Sequence, residues 1–145
     1  VIVVDTNLLL YAVNRDFPAH QRARDWLERT LVGDRPVRLP WVVILAFIRI
    51  STSQRVFERP LHIAAANRYV GQWLALPSVD TLCPAEGHWQ LLSRLLEQTG
   101  AGGNLTTDAH LAAMAIQCGA TLCSADNDFK RFPGLIHLNP LLDNA

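Results

Sequence analysis

The sequence is short of cysteine and lysine, has no long apolar run, and carries no surplus of either charge. Cys83, Cys118 and Cys123 are odd in number and form no Cys-x-x-Cys pair, which argues against a disulfide framework and against a structural zinc site. Reduced, mostly buried thiols are expected. With 13 Lys plus Arg against 13 Asp plus Glu, the chain lacks the uniform positive field that binds nucleic acid indiscriminately. Any nucleic-acid contact must come from a local patch. Twelve of the 13 basic residues are Arg and one is Lys130, a skew that suits bidentate phosphate recognition and equally suits a biased genome composition. The apolar stretch at 41–48 is too short to span a bilayer, and no basic region precedes an apolar one at the N-terminus. A soluble, cytoplasmic protein with no membrane partner is expected. His20, His62, His88, His110 and His137 show no His-x-x-x-His spacing, and no nucleophile elbow or phosphate-binding glycine loop is present. His110, beside Asp108, reads as a surface group or a support to a neighbouring ligand.

What is present is an apolar half in 145 residues, enough to bury the core of one domain spanning 1–145. The β-branched run at 1–4, with no polar alternation, suits a central strand covered on both faces and ends at Asp5. Residues 18–31 repeat apolar positions Ala19, Ala23, Trp26, Leu27 and Leu31 at helical spacing, as a surface helix does. Pro40 suits a first helical turn, and 41–50 is apolar nearly all round, which predicts a buried helix to about Ser53. Helical periodicity covers 61–76 and 86–98, with a short strand at 79–83 between them. Gly100 to Asn104 is the flexible stretch. Thr106, Thr107 and Asp108 then carry N-cap chemistry for a helix at 109–118, closed by Gly119. Strands are expected at 120–124, running straight into Asp126 and Asp128, and at 135–138. Strands alternating with helices imply a mostly parallel sheet, in which ligands gather beyond the carboxyl ends of the strands.

That position nominates Asp5, Asp126 and Asp128, with Asp108 at the start of a helix. Each alone is explained by capping. Together they place several carboxylates at one sheet edge, where they repel unless a cation neutralises them. An all-oxygen donor set selects a hard ion, Mg²⁺ or Mn²⁺, and such an ion at a phosphodiester activates water and stabilises charge on the leaving oxygen. Thr6 and Asn7 beside Asp5, and Ser124 before Asp126, are placed to hydrogen-bond the ligating carboxylates or simply to form polar turns.

Val-Asp-Thr-Asn at the start, Gly-Asn-Leu-Thr-Thr-Asp-Ala-His at 103–110 and Ser-Ala-Asp-Asn-Asp-Phe at 124–129 resemble PIN-domain VapC toxins of toxin–antitoxin pairs, especially the large mycobacterial branch. The likeness continues through Leu39-Pro-Trp41, Phe47-Ile-Arg49, Arg55-Val-Phe57, Arg59-Pro-Leu61 and Phe132-Pro-Gly-Leu135 to Asn139-Pro-Leu141. The resemblance implies a three-layer α/β/α sandwich, a homodimer, cleavage of a structured RNA such as tRNA or rRNA, and silencing by a cognate VapB antitoxin. It also implies that Asp5, Asp108 and Asp126 bind metal, with Asp128 as an additional acid.

One position departs from the family pattern: most PIN domains carry a Glu on the third helix where this chain has Ala46. A catalytically weak or dead fold that binds antitoxin and RNA is therefore the competing reading. An aspartyl phosphatase using Asp5 is a third, but it requires an Asp where Asn7 stands. Arg49, one turn from Ala46, is placed to face the same cleft and contact phosphate, or to sit solvated or paired with a carboxylate at the helix end. Arg49, Arg55, Arg59 and Arg68 form the expected RNA patch.

Overall fold

The computed structural model describes residues 1–100 and 102–142. Position 101, inside the glycine-rich stretch, lies outside them. Five strands, β1 (Ile2–Val4), β2 (Val37–Pro40), β3 (Val79–Leu82), β4 (Thr121–Cys123) and β5 (Ile136–Leu138), form one sheet in the order β3-β2-β1-β4-β5, and every pairing is parallel. β1 is central and wholly buried, as its unbroken apolar run predicts. The chain moves outward from β1 to β2 and β3, then returns to lay β4 on the other side of β1. The order therefore reverses between β1 and β4, and that crevice is where an open parallel sheet takes its ligands.

Six α-helices cover the sheet: α1 (Thr6–Val13), α2 (His20–Leu31), α3 (Trp41–Ser51), α4 (Ile63–Leu74), α5 (His88–Thr99) and α6 (Thr106–Gln117). α1 packs on α2 and α3, α3 on α4, and α5 on α6. Crossovers between parallel strands are right-handed, so connections that step to opposite sides of β1 place their helices on opposite faces. The result is a three-layer α/β/α sandwich. Its core joins Val3, Val4, Val37, Leu39 and Leu122 of the sheet to Leu8, Leu9, Phe47 and Leu95 of the helices. α6 meets this core through Ala109, Ala112, Ala113 and Ala115, all fully buried, and small side chains let a helix backbone approach closely.

Several expectations are corrected. α1 and β2 have no counterpart in the hydrophobic periodicity. α1 is almost all apolar with Leu8, Leu9, Leu10 and Ala12 buried, so no polar face marks its period. β2 is four residues ending in Pro40, a residue that ordinarily argues against a strand; here it closes β2 and caps α3. α3 is not buried all round: Val43, Ile44 and Phe47 are, but Trp41 and Leu45 are 47% and 62% exposed. α6 begins at Thr106, with Leu105 at its N-cap, so Asp108 lies within the first turn. Of the cysteines, all free, Cys123 is buried with its thiol pushed up to about 12 by desolvation, whereas Cys83 is exposed. Among the described residues no helix is long and apolar enough to cross a membrane.

Candidate metal and RNA cleft

β1 and β4 are in register with Val4 opposite Cys123, and the Asp5 backbone N–H donates to Cys123 O at 3.0 Å. Pairing that tight puts Asp5 and Ser124 side by side at the carboxyl edge of the sheet. Asp5 caps α1, its Oδ1 accepting the Thr6 backbone N–H at 2.7 Å. Its Oδ2 accepts the Ser124 hydroxyl at 2.8 Å and the Asn7 side-chain amide at 3.4 Å. Ser124 Oγ in turn accepts Asn7 Nδ2 at 3.2 Å and the Asp126 backbone N–H at 3.0 Å, which uses its one donor and both lone pairs. Asn7 Oδ1 closes the ring by accepting the Ala125 N–H at 3.2 Å. Asp126 caps the 3₁₀ turn Asn127–Arg131 by accepting the Asp128 N–H at 2.9 Å.

The supporting roles differ in detail from expectation. Ser124 bonds the Asp5 carboxylate and meets Asp126 only at its backbone, and Thr6 serves Asp5 through its main chain. Two further residues are given no role by the sequence, although Asn139 lies in the Asn139-Pro-Leu141 stretch of the family likeness. Asn139, almost fully buried, donates to Ala125 O and Asn127 Oδ1, both at 3.2 Å, and so fixes the loop that carries Asp126. His137 Nε2 donates to Ser124 O at 3.0 Å. The placement of both on or just after β5, the strand beside β4, points to them.

Asp108 approaches from α6. A cleft of about 310 Å³ is lined by Asp5, Asp108, Thr107, Ala46, Arg49 and Leu45, among others. Burial first, then the charges of Asp5, Asp126 and Asp128, push the Asp108 carboxyl up to about 6. Asp5 is raised as well, by desolvation and to a lesser degree by Asp126, against the lowering hydrogen bonds of Ser124 and Thr6. The other three acids thus lie within electrostatic reach of Asp108. As the side chains stand, no three acids, histidines or cysteines among the described residues converge on one point as a finished ligand cage. The donors fit a hard cation in kind and in charge, and their mutual repulsion is the penalty that such a cation removes.

Ala46 and Arg49 both line this cleft. Arg59 is exposed and loosely paired with Asp16 at 3.5 Å, at a separate cleft. Arg55 and Arg68 are exposed and line neither cleft. Of the four arginines, Arg49 alone lines the cleft with the acids. His110 bonds His88, with Nδ1 and Nε2 2.8 Å apart, so it ties α6 to α5.

A parallel α/β/α sandwich with carboxylates at its strand-order reversal defines a class, and the comparisons give it a family. Residues 2–135 match the PIN domain model. The chain belongs to the PIN-domain family. It is 44% identical to Ribonuclease VapC37 of Mycobacterium tuberculosis over 133 residues, 92% of each chain. It is 42% identical to Ribonuclease VapC33 of the same species over 141 residues, covering 97% of this chain and 99% of that one. In fold it is similar to VapBC2 of Rickettsia felis bound to promoter DNA, with TM-score 0.69, 21% identity, and 95% and 97% of the two chains covered. It is also similar to M. tuberculosis VapC20, described as a Sarcin-Ricin loop cleaving toxin, with TM-score 0.67, 16% identity, and 94% and 99% covered.

Proposed function

We propose that the chain is a VapC-type endoribonuclease toxin whose cleft uses Mg²⁺ or Mn²⁺ and is silenced by a VapB-type antitoxin. The observation that carries this reading is the Ser124 hydroxyl bridging the Asp5 carboxylate to the Asp126 backbone, which anchors acids that follow two different strands side by side at one sheet edge. Identity of 42–44% to named VapC ribonucleases over most of the chain supports the activity.

In this reading Asp5, Asp108, Asp126 and Asp128 hold the cation. When bound, that ion supplies a water activated for attack on phosphorus and stabilises the leaving oxygen. The remaining work belongs to the chain. Ser124 and Asn7 hold Asp5 in one rotamer, Asn139 holds the Asp126 loop, and Arg49 on the cleft wall receives a phosphate oxygen of the RNA. Apolar Leu45, Val42 and Leu111 narrow the cleft and shed water from it. Exposed Trp41 and Leu45 give α3 an apolar face, with Leu45 lining the acidic cleft, and we assign that face to the antitoxin. The cellular setting of such a toxin is the cytoplasm.

The test is cleavage of RNA by the purified, antitoxin-free chain in Mg²⁺, in chelator, and in Asp5→Ala and Asp126→Ala variants. Cleavage that needs the cation and both acids is expected. Cleavage that survives chelation, or both substitutions, overturns the reading. A thermal shift on adding Mn²⁺, lost in Asp108→Asn, reports the ion independently of activity.

A further inference from the structure

A second concavity lies at the far end of α1 from the acids, and its floor carries an unanswered polar group. Ser51 closes α3 with its hydroxyl buried, and among the described residues that oxygen has no hydrogen-bond partner. Its neighbour Thr52 donates to Ile48 O at 2.7 Å, and Thr99 donates to Leu95 O at 2.7 Å. That is the bond a helical Ser or Thr makes to the carbonyl four residues back. Ser51 does not make it. The residue lines a cleft of about 210 Å³ with Leu10, Val13, Phe57 and Leu61, and with Arg15 and Arg59 at its rim.

The composition specifies a ligand class. The walls are Leu10, Val13 and Leu61 with Asn14, whose Oδ1 accepts the Asp16 N–H at 2.8 Å, and one aromatic ring, Phe57, which is itself held edge-on by Phe17 at a centroid distance of 5.7 Å. Ser51 Oγ is able to donate or accept. Arg15 and Arg59 are both exposed, and the acid at this rim, Asp16, meets Arg59 at only 3.5 Å, with the two side chains 58% and 82% exposed. The rim thus keeps a net positive charge and an easily exchanged counterion. The cleft is smaller than a drug-sized site of roughly 300–1,000 Å³ and has room for one flat ring system. A nucleotide joins a planar ring with a hydrogen-bonding edge to an anion. Unpaired bases are recognised in just this way, by stacking on an aromatic side chain and by hydrogen bonds to the base edge.

The cleft is also placed to serve the acids. α1 joins the two sites, with Asp5 capping its start and Leu10 and Val13 lining the second cleft, and eight residues of helix span about 12 Å. α3 joins them too, through Arg49 on the acidic cleft and Ser51 on the other.

We propose that this cleft is a base-binding subsite for single-stranded RNA. One unpaired nucleotide, a few positions from the phosphate held at the acids, lays its base against Phe57 with an edge over Ser51, whose hydroxyl turns up from beneath the floor to meet it, and its phosphate on Arg15 and Arg59. The RNA context rests on the ribonuclease reading, whereas the nucleotide site is testable without it.

The first experiment uses the wild-type chain in chelator, with the four nucleoside 5′-monophosphates followed by NMR. Shifts at Leu10, Ser51 and Phe57 are expected, with one base preferred. Ser51→Ala should weaken the preferred nucleotide about tenfold and level the four, Ser51→Leu should fill the cleft and abolish binding, and Arg59→Glu should weaken all four alike. Because the hydroxyl has no partner among the described residues, Ser51→Ala should leave the unliganded melting temperature unchanged or slightly raised. Absence of shifts at the cleft, or binding indifferent to both Ser51 variants, overturns the proposal. The second experiment measures cleavage in Mg²⁺ on oligonucleotides that differ in one base. If the chain cleaves RNA but its base preference is untouched by Ser51→Ala, the subsite is wrong and the nuclease stands. If it cleaves nothing yet loses nucleotide binding in Ser51→Leu, the subsite stands and the nuclease reading falls.

Discussion

The Ser124 hydroxyl donates to Asp5 Oδ2 at 2.8 Å across the gap between β4 and β1, where Ser124 is fully buried and the Asp5 carboxylate is desolvated. A hydrogen bond to a charged group contributes roughly 1.5–3 kcal/mol, and its loss at this position leaves Asp5 with only the Thr6 N–H and the longer Asn7 contact. Ser124→Ala should therefore lower stability by about that amount at pH 8. Cleavage should fall roughly 10- to 100-fold, as it does when groups that orient metal ligands are removed. Urea unfolding and initial rates check the two effects. A variant with wild-type rate would show that Asp5 needs no such positioning.

The raised carboxyls set the pH dependence of the metal-free chain. Asp108, at about 6, and Asp5, also raised, retain a proton in the folded state at pH values where the unfolded chain, near 3.8, has released it. Folded protein then binds more protons than unfolded protein between about pH 4 and pH 6, so stability falls as pH rises through that window. Asp108→Asn should flatten the fall and raise the melting temperature at pH 8 in chelator. Added Mg²⁺ should reverse the sign for wild type, stabilising it more at pH 8 than at pH 5. Melting curves across pH 4.5–8 decide it; a wild-type profile that coincides with that of Asp108→Asn would mean that the Asp108 proton does not drive the fall.

The parts of this arrangement legible in sequence are those with strong local chemistry. The unbroken apolar run of β1 and the short, mostly apolar stretch of β4 announce strands, and acids placed just beyond them announce the cleft. α1 is hidden because Leu8, Leu9 and Leu10 face the core on more than one side, which erases the helical period. β2 is hidden because Pro40 both ends the strand and caps α3. The exposure of Leu45 has no sequence signal, since an apolar helix lining a cleft and one sunk in a core share a composition. The Ser124–Asp5 bond depends on the register of β1 with β4, a relation between residues 119 positions apart.

RNA affinity should depend on salt through the arginines away from the acids. Arg55 and Arg59 are exposed on the segment between α3 and α4, and Arg59 is held only loosely by Asp16. Each phosphate contact to a single strand contributes about 0.7 to the slope of log affinity against log salt. Reversing both charges should weaken binding and reduce that slope by roughly 1.4. Titrations in chelator at several salt concentrations measure it. An unchanged slope would place the contacts elsewhere, with Arg68 the next position to reverse.

Ala46 gives the sharpest separation between a working cleft and an inert one. It lines the cleft beside Asp5 and Asp108, where a longer acidic side chain would add a fifth carboxylate. Asp108 is already raised by the charges of its neighbours, so Ala46→Glu should destabilise the metal-free chain at pH 8, on the order of 1 kcal/mol. The same carboxylate adds a hard oxygen donor, and Mn²⁺ should bind about tenfold tighter, a difference of roughly 1.4 kcal/mol. One substitution should thus lower the melting temperature in chelator and raise the metal-induced shift. Calorimetric titration with Mn²⁺ and paired melting curves test both signs. Weaker metal binding in Ala46→Glu would mean that the added group points away from the acids. Cleavage gained only in that variant would mean that the natural chain holds its ion too weakly to turn over RNA.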